Sequence, residues 1–205
     1  MKNKIPFLLL IVGVILVASC TKYPADVTRT QEDLAVFTKY DVKKDFSSYK
    51  TFWIDNALYY KDGSDSGFVS GDKAMTIINQ IVKNMTDRGY TRITVVDPNN
   101  KPDLGISVTY IHKTNVDVYY PYYPYWGWWG YYPYYGYGYP TPYVTSYSVG
   151  TVFVDMVEMK NSSGSQLTGV FSGIIRGLYT ETHSTGEIQS SIDEMFNQSM
   201  CFTTL

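Results

Sequence analysis

The chain has 205 residues, 18% of them charged, a formal net charge of −2 at pH 7 and two cysteines. That balance excludes the basic surface through which proteins hold nucleic acid, and two cysteines exclude a small scaffold built on several disulfides. With 44% hydrophobic residues the chain can bury one core of ordinary size, so one domain with appendages is expected.

The first residues read MKNKIPFLLLIVGVILVASC: Lys2 and Lys4, an apolar run from Ile5 to Val17, then Ala18 and Ser19. This is the order of a secretory signal peptide, residues 1–19, and the run is shorter than the roughly 20 residues a membrane span needs. "VASC" resembles the lipobox of bacterial lipoproteins, in which the cysteine is acylated and becomes the first residue of the mature chain. Cys20 is therefore the expected lipidation site, and its acyl chains the attachment to a membrane. Cleavage removes Lys2 and Lys4 and moves the formal charge to −4, so attachment rests on lipid and not on attraction to anionic headgroups. Cys201 is then the remaining thiol, expected as a buried apolar-like residue near the C-terminal helix. Residues 20–33 comprise Cys20 and a polar tether without apolar periodicity, which at about 3.3 Å per residue reaches up to roughly 40 Å.

Residues 34–205 carry the periodicities of a folded domain. "LAVFTKYD" and "YKTFWI" read as strands around the turn-like "KKDFSS". Ser70 to Arg88 reads as a helix: Ala74, Ile78, Ile81 and Met85 recur at helical spacing, Ser70 or Asp72 can cap the start, and Gly89 suits the C-terminal cap. "YTRITVV" alternates as a strand, "DPNNKPD" is a turn, and Leu104, Ile106, Val108 and Tyr110 alternate along another strand. "GTVFVDMVEM" is apolar on both parities around Asp155, as a central strand covered on both faces would be. After the turn "NSSGS" comes a glycine-interrupted strand, "QLTGVFSGIIRG". "STGEIQSSIDEMF" closes the domain as a helix, with Ser184 and Glu187 as a capping box and Ile188, Ile192, Met195 and Phe196 as its buried face. The expected fold is α+β: a single mixed or antiparallel sheet of five or six strands, with two amphipathic helices on one face and a long Tyr/Trp/Gly/Pro-rich insert.

The lipobox at Cys20, "DFSSYKTFWI", "RGY" ending at Tyr90, "KPDLGISVTY", "GTVFVDMVE" and the final amphipathic helix occur in an order that resembles the bacterial lipoproteins grouped as domain of unknown function 4136. The resemblance spans nearly the whole mature chain. It implies a Gram-negative cell envelope and an α+β fold, and no catalytic residues. Where that family usually carries a Trp-Arg-Gly run in the penultimate strand, this chain has Phe171, Ser172 and Gly173. Thr21 and Lys22 give no acidic run after the cysteine, which in the Bacteroidetes-like lipoproteins this chain resembles would direct export to the cell surface. The expected location is the outer membrane, lipid-anchored and facing the periplasm.

The insert, residues 119–147, holds eleven of the 21 tyrosines within positions 119–140, and no charged residue occurs from Val118 to Val154. Proline and glycine interrupt it too often for a helical or strand period. Tyrosine and tryptophan supply flat apolar faces with a hydrogen-bonding edge at small entropic cost, so Tyr119, Tyr122, Tyr125, Trp126, Trp128, Trp129, Tyr131 and Tyr134 are the expected contact residues for an envelope protein or glycan. Catalytic chemistry has little support. His112 and His183 lie in no metal-ligand spacing, and no nucleophile, P-loop or dinucleotide motif occurs, so neither metal nor cofactor is expected. Asp155 shares the face of Phe153 and Val157, where a carboxylate needs hydrogen bonds or a cation to stay charged, while Glu158 falls on the opposite face. The reading is a non-enzymatic, lipid-anchored envelope protein of binding or scaffolding type. The alternatives are a self-associating structural lipoprotein and a hydrolase of envelope polymers with Asp155 or Glu158 as acid or base.

Overall fold

The structure is a computed structural model that describes residues 34–62, 65–96, 100–111, 150–161, 167–180 and 183–202. Cys20, the tether, His112 and the eight aromatic contact residues lie outside the described residues. The elements in chain order are β1 (Val36–Tyr40), β2 (Thr51–Ile54), β3 (Leu58–Asp62), β4 (Asp65–Val69), α1 (Asp72–Asp87), β5 (Thr91–Arg92), β6 (Leu104–Ile111), β7 (Val152–Glu158), β8 (Thr168–Ile175) and α2 (Thr185–Asn197).

The strands form one mixed sheet of eight, not the five or six expected, in the order β1-β8-β7-β6-β2-β5, with β3 and β4 branching from β6. The long strand β6 carries two short ones end to end on one edge. Phe52–Ile54 of β2 run parallel to Leu104–Ile106, and Tyr59–Lys61 of β3 run parallel to Thr109–Ile111. Its other edge pairs antiparallel with β7, and β7 with β8. The uncounted strands are the hairpin β3–β4, in which Leu58 pairs with Val69 and Asp62 with Asp65. In contrast, "YTRITVV" yields only the two residues of β5. Its partner β2 is itself four residues long, Ile93 donates a last ladder bond to the Phe52 carbonyl at 2.8 Å, and Val95 ends up exposed.

Both helices bury their apolar stripes in one core. Ala74, Ile77, Ile78, Ile81 and Met85 of α1 and Ile188, Ile192, Met195 and Phe196 of α2 meet Phe52, Leu104, Ile106, Val154, Met156 and Phe171 of the sheet. The ends of the helices differ. α2 has the expected capping box, with the Ser184 hydroxyl accepting from the Glu187 amide and the Glu187 carboxylate accepting from the Ser184 amide. α1 has no side-chain cap: its N-cap is Gly71, not Ser70 or Asp72. At its other end Gly89 takes φ +88°, the left-handed conformation that glycine favours, and the Tyr90 amide returns to the Met85 carbonyl at 3.1 Å. A polar seam joins the helices. Gln80 and Asn84 donate to Asp193 Oδ1 at 2.5 and 2.6 Å, and Arg88 donates to Asn84 and Asn197 while lying over the Phe196 ring.

Candidate functional site

Three places combine polar chemistry with burial. The first is the end of the sheet where β2, β6 and β7 begin or finish. Asp103, from the "KPD" motif, accepts from the amides of Lys50 and Thr51 at 2.6 and 3.1 Å, and its own amide donates to the Thr51 hydroxyl. Its carbonyl accepts from Met159 and Lys160, so one residue fixes the starts of two strands and the end of a third. Beside it Glu158 pairs with Lys44 and accepts from Asn161 at 2.6 Å. Burial works against the Glu158 carboxylate, but the hydrogen bonds from Lys44 and Asn161 outweigh it and hold its pKa below the usual range. Burial and the neighbouring Glu158 push the Tyr49 hydroxyl upward, so it stays a hydrogen-bond donor. In the same corner Asp45 caps a short 3-10 turn through Ser47, and Tyr90 donates to the Phe46 carbonyl at 3.1 Å. An adjoining cavity of about 310 Å³ is lined by Tyr40, Val42, Lys44, Asp45, Phe46, Ser47 and Cys201. Cys201 is half-buried in the 3-10 turn after α2, not fully buried, and burial pushes its thiol up to about 12, which keeps it a weak nucleophile.

The second place is the root of the aromatic insert. Ile111 and Gly150, the described residues on either side of it, are hydrogen-bonded to each other: the Ile111 amide donates to the Thr151 carbonyl at 2.9 Å and the Gly150 amide to the Ile111 carbonyl at 2.8 Å. Gly150 has φ +79°, and a Cβ there would meet Thr180 Cγ2 at 2.6 Å, so conformation and space both demand glycine. The Tyr179 amide ties the Gly150 carbonyl to the turn after β8, and the Tyr179 ring stacks on Tyr110 at 4.3 Å. Lys73, in the first turn of α1, donates to the Thr180 carbonyl. Two central strands, a turn and a helix start thus converge on the point where the insert leaves the domain.

The third place is Asp155, on the face of the sheet away from the helices. It is 1% exposed, receives a hydrogen bond from the Ser172 side chain, and among the described residues has no hydrogen-bond partner for Oδ1. Burial, opposed only by that bond, pushes its pKa up to about 7. As alternation predicts, Glu158 lies on the other face, so the two carboxylates named for acid-base chemistry are not brought together. His183 precedes the α2 cap with its Nε2 buried. Among the described residues no three His, Cys, Asp or Glu side chains gather as a metal site would need, and no helix is long and apolar enough to cross a membrane.

A profile of the family described as "Domain of unknown function (DUF4136)" matches residues 36–200. The chain belongs to this family. Among solved structures it is similar to a DUF4136 family protein from Bacteroides thetaiotaomicron, with 28% identity and a TM-score of 0.61, covering 85% of this chain and 100% of that one. A comparison with curated proteins gave no match. Within this DUF4136 domain, the motifs noted in the sequence resolve into architecture. "KPD" supplies Asp103, "DFSSY" supplies Asp45 and Tyr49, "RGY" supplies Gly89 and Tyr90, and "GTVFVDMVE" supplies Gly150 and Glu158. The corner that these residues other than Gly150 build, with Lys44 and Lys160, was not visible as a unit in the sequence. Its paired members Lys44 and Glu158 are separated by 114 positions, and only the acidic residues next to strand ends hinted at it.

Proposed function

We propose that this protein is a lipid-anchored cell-envelope protein of binding or scaffolding type, held by acylated Cys20 at the periplasmic side of the outer membrane. Its aromatic insert is the contact surface for another envelope protein or a glycan. The observation that carries this reading is the root of the insert. Hydrogen bonds from Gly150 to Ile111 and from Ile111 to Thr151, the left-handed Gly150 and the Tyr110–Tyr179 stack tie together the ends of the two central strands that flank the segment. A long connection in a compact domain is most often a binding segment or an unstructured one, and a built root favours binding. Tyrosine and tryptophan suit the task because they bind through large faces with few rotatable bonds.

The test is capture by the purified protein of envelope proteins and cell-wall glycans, with and without residues 119–147, the fold of the deletion variant being verified by circular dichroism. Capture that depends on those residues is expected. Equal capture by both forms would refute the role of the insert. Metabolic incorporation of a fatty-acid analogue, abolished by Cys20→Ser, tests the anchor separately.

A further inference from the structure

Among the described residues the sheet ends on one side at β1, which pairs with β8 alone, and on the other at the two residues of β5. The Arg176 amide donates to the Ala35 carbonyl and the Asp41 amide to the Val170 carbonyl, so the odd-numbered residues of this strand turn their backbone groups to β8. The amides and carbonyls of Val36, Thr38 and Tyr40 therefore point out of the sheet, and among the described residues nothing donates to or accepts from them. Such an edge is a template for another strand. Two usual devices against pairing, a proline and a bulge, are absent from β1, whose register with β8 runs unbroken from Val36 to Tyr40. Its two faces differ. Val36 and Tyr40 pack at the margin of the helix-side core, and Thr38 between them pairs with Gly173, which lies against Met195 of α2. Phe37, Lys39 and Asp41 lie on the other face, where Lys39 shares a row with Ser172, Asp155 and Ser107. Phe37 is 46% exposed, with the Arg176 guanidinium 5.4 Å over its ring. Arg176 Nε is buried and among the described residues has no hydrogen-bond partner.

We propose that β1 is a dimer edge, which takes β1 of a second copy of this chain in antiparallel pairing about a two-fold axis at Thr38. In that contact Thr38 meets Thr38, Val36 meets Tyr40 and Phe37 meets Lys39 of the second copy. The strand is complementary to itself in three respects. Its outward amides and carbonyls are all matched, because Val36, Thr38 and Tyr40 are the residues that exchange both hydrogen bonds with the strand opposite. On the helix side, Val36 of each copy meets Tyr40 of the other, which joins the margins of the two cores, with the threonine pair at the axis. On the other side, the exposed Phe37 ring is covered by the aliphatic stem of Lys39, so a lysine that blunts an edge against other strands meets an aromatic ring and not a like charge. One step along, the register sets Arg176, Ala35 and Asp41 of the second copy in a single row, with the small Ala35 between the two charges. Two strand spacings, about 10 Å, separate the Arg176 and Asp41 backbones, a gap that these side chains span, so the carboxylate supplies the partner that Arg176 Nε lacks. A foreign strand would have to reproduce this apolar, aromatic and charged order, whereas a second copy carries it by symmetry. No residue of the aromatic insert takes part, so the pairing and the binding reading stand or fall separately.

The experiment co-expresses two full-length chains with tags of different size, one carrying Phe37→Cys and the other Lys39→Cys. Disulfide-linked species formed under oxidising conditions are read on a gel without reductant, and the linked residues are identified by mass spectrometry. In the proposed register these two positions form a non-hydrogen-bonded pair with Cα atoms about 4.5 Å apart, within the span of a disulfide, whereas the same position in two copies is about 8 Å apart and cannot be bridged. The mixed disulfide is expected at about tenfold or more the yield of either chain expressed alone. Thr38→Pro removes an outward amide without touching the ladder to β8, and in both chains it is expected to lower that yield about tenfold with unchanged circular dichroism. Equal yields from the mixture and from the single chains would overturn the proposal. So would a mixed disulfide undiminished by a folded Thr38→Pro chain, or cysteine chains linked to another protein in place of the second copy. Should Thr38→Pro fail to fold, the cysteine pair alone decides the register.

Discussion

On the helix side of the sheet, Phe52, Leu104, Ile106, Val154, Met156 and Phe171 interlock with two apolar helix stripes, and the buried carboxylate there, Glu158, stands at the rim with Lys44 against it. On the other side, Phe153, Val157 and Ile174 share the surface with Ser107, Ser172, Thr109 and a carboxyl group at the centre of β7. Both faces are buried in the middle, but they are buried differently. The first is a packed core whose residues fit one another. The second keeps hydrogen-bonding groups that a core built for stability alone would not need, since a buried carboxyl is costly unless its oxygens are matched. That contrast is what points to the second face as a contact surface and to the first as the scaffold.

Substitutions on the two faces sharpen the contrast. The largest effect is expected for Phe171→Ala on the helix side, where a fully buried ring packed near Phe196 and Phe202 is lost: about 3–5 kcal/mol of destabilisation, read from urea denaturation midpoints. Gly173→Ala probes the same face from the opposite direction. A Cβ there would overlap Met195 Sδ and lie 2.9 Å from Met195 Cγ, so a cost of about 1–3 kcal/mol is expected by the same measurement. A cost as small as that of a surface change would show that the helix side is loosely packed and would weaken the contrast.

Asp155→Asn is expected to act with the opposite sign. The folded pKa of about 7 lies above the ordinary 3.8, so the native state binds more protons than the unfolded state between those values. The favourable contribution is complete below pH 4, declines as pH rises, and is lost above pH 7. The asparagine variant does not titrate there, so it is expected to be more stable than the parent by about 1–3 kcal/mol at pH 8, with the difference shrinking toward pH 4. A constant difference across that range would mean that Asp155 titrates alike in both states. The smallest effect belongs to the rim. Phe37→Ser removes a half-exposed ring under Arg176 and is expected to cost less than about 1 kcal/mol.

Much of this arrangement was legible in the sequence, for identifiable reasons. The 3.6-residue period marked both helices, Ser184 and Glu187 announced a capping box that forms, and the two-sided apolar run around Asp155 placed β7 at the centre of the sheet with Asp155 and Glu158 on opposite faces. The hairpin β3–β4 escaped because Leu58, Tyr59 and Tyr60 are followed by polar residues that break the alternation. Asp62 followed by Gly63 was the turn signal that could have found it. "YTRITVV" misled in the other direction, since β-branched composition reports what fits a sheet and not whether a partner strand is long enough to pair. The row of Ser107, Asp155, Ser172 and Lys39 was beyond reach. It depends on inter-strand register, which in this sheet includes a shift between Met156 and Val157.

The most direct test of the account is the titration of the Asp155 carboxyl carbon by NMR in the intact protein. The central claim is that the second face closes over an ionisable group whose oxygens are not all matched by the sheet. That claim predicts a midpoint near 7, as burial with a hydrogen bond from Ser172 gives. A midpoint close to 4, the value of a carboxyl in water, would show that the face is open to solvent and would contradict it.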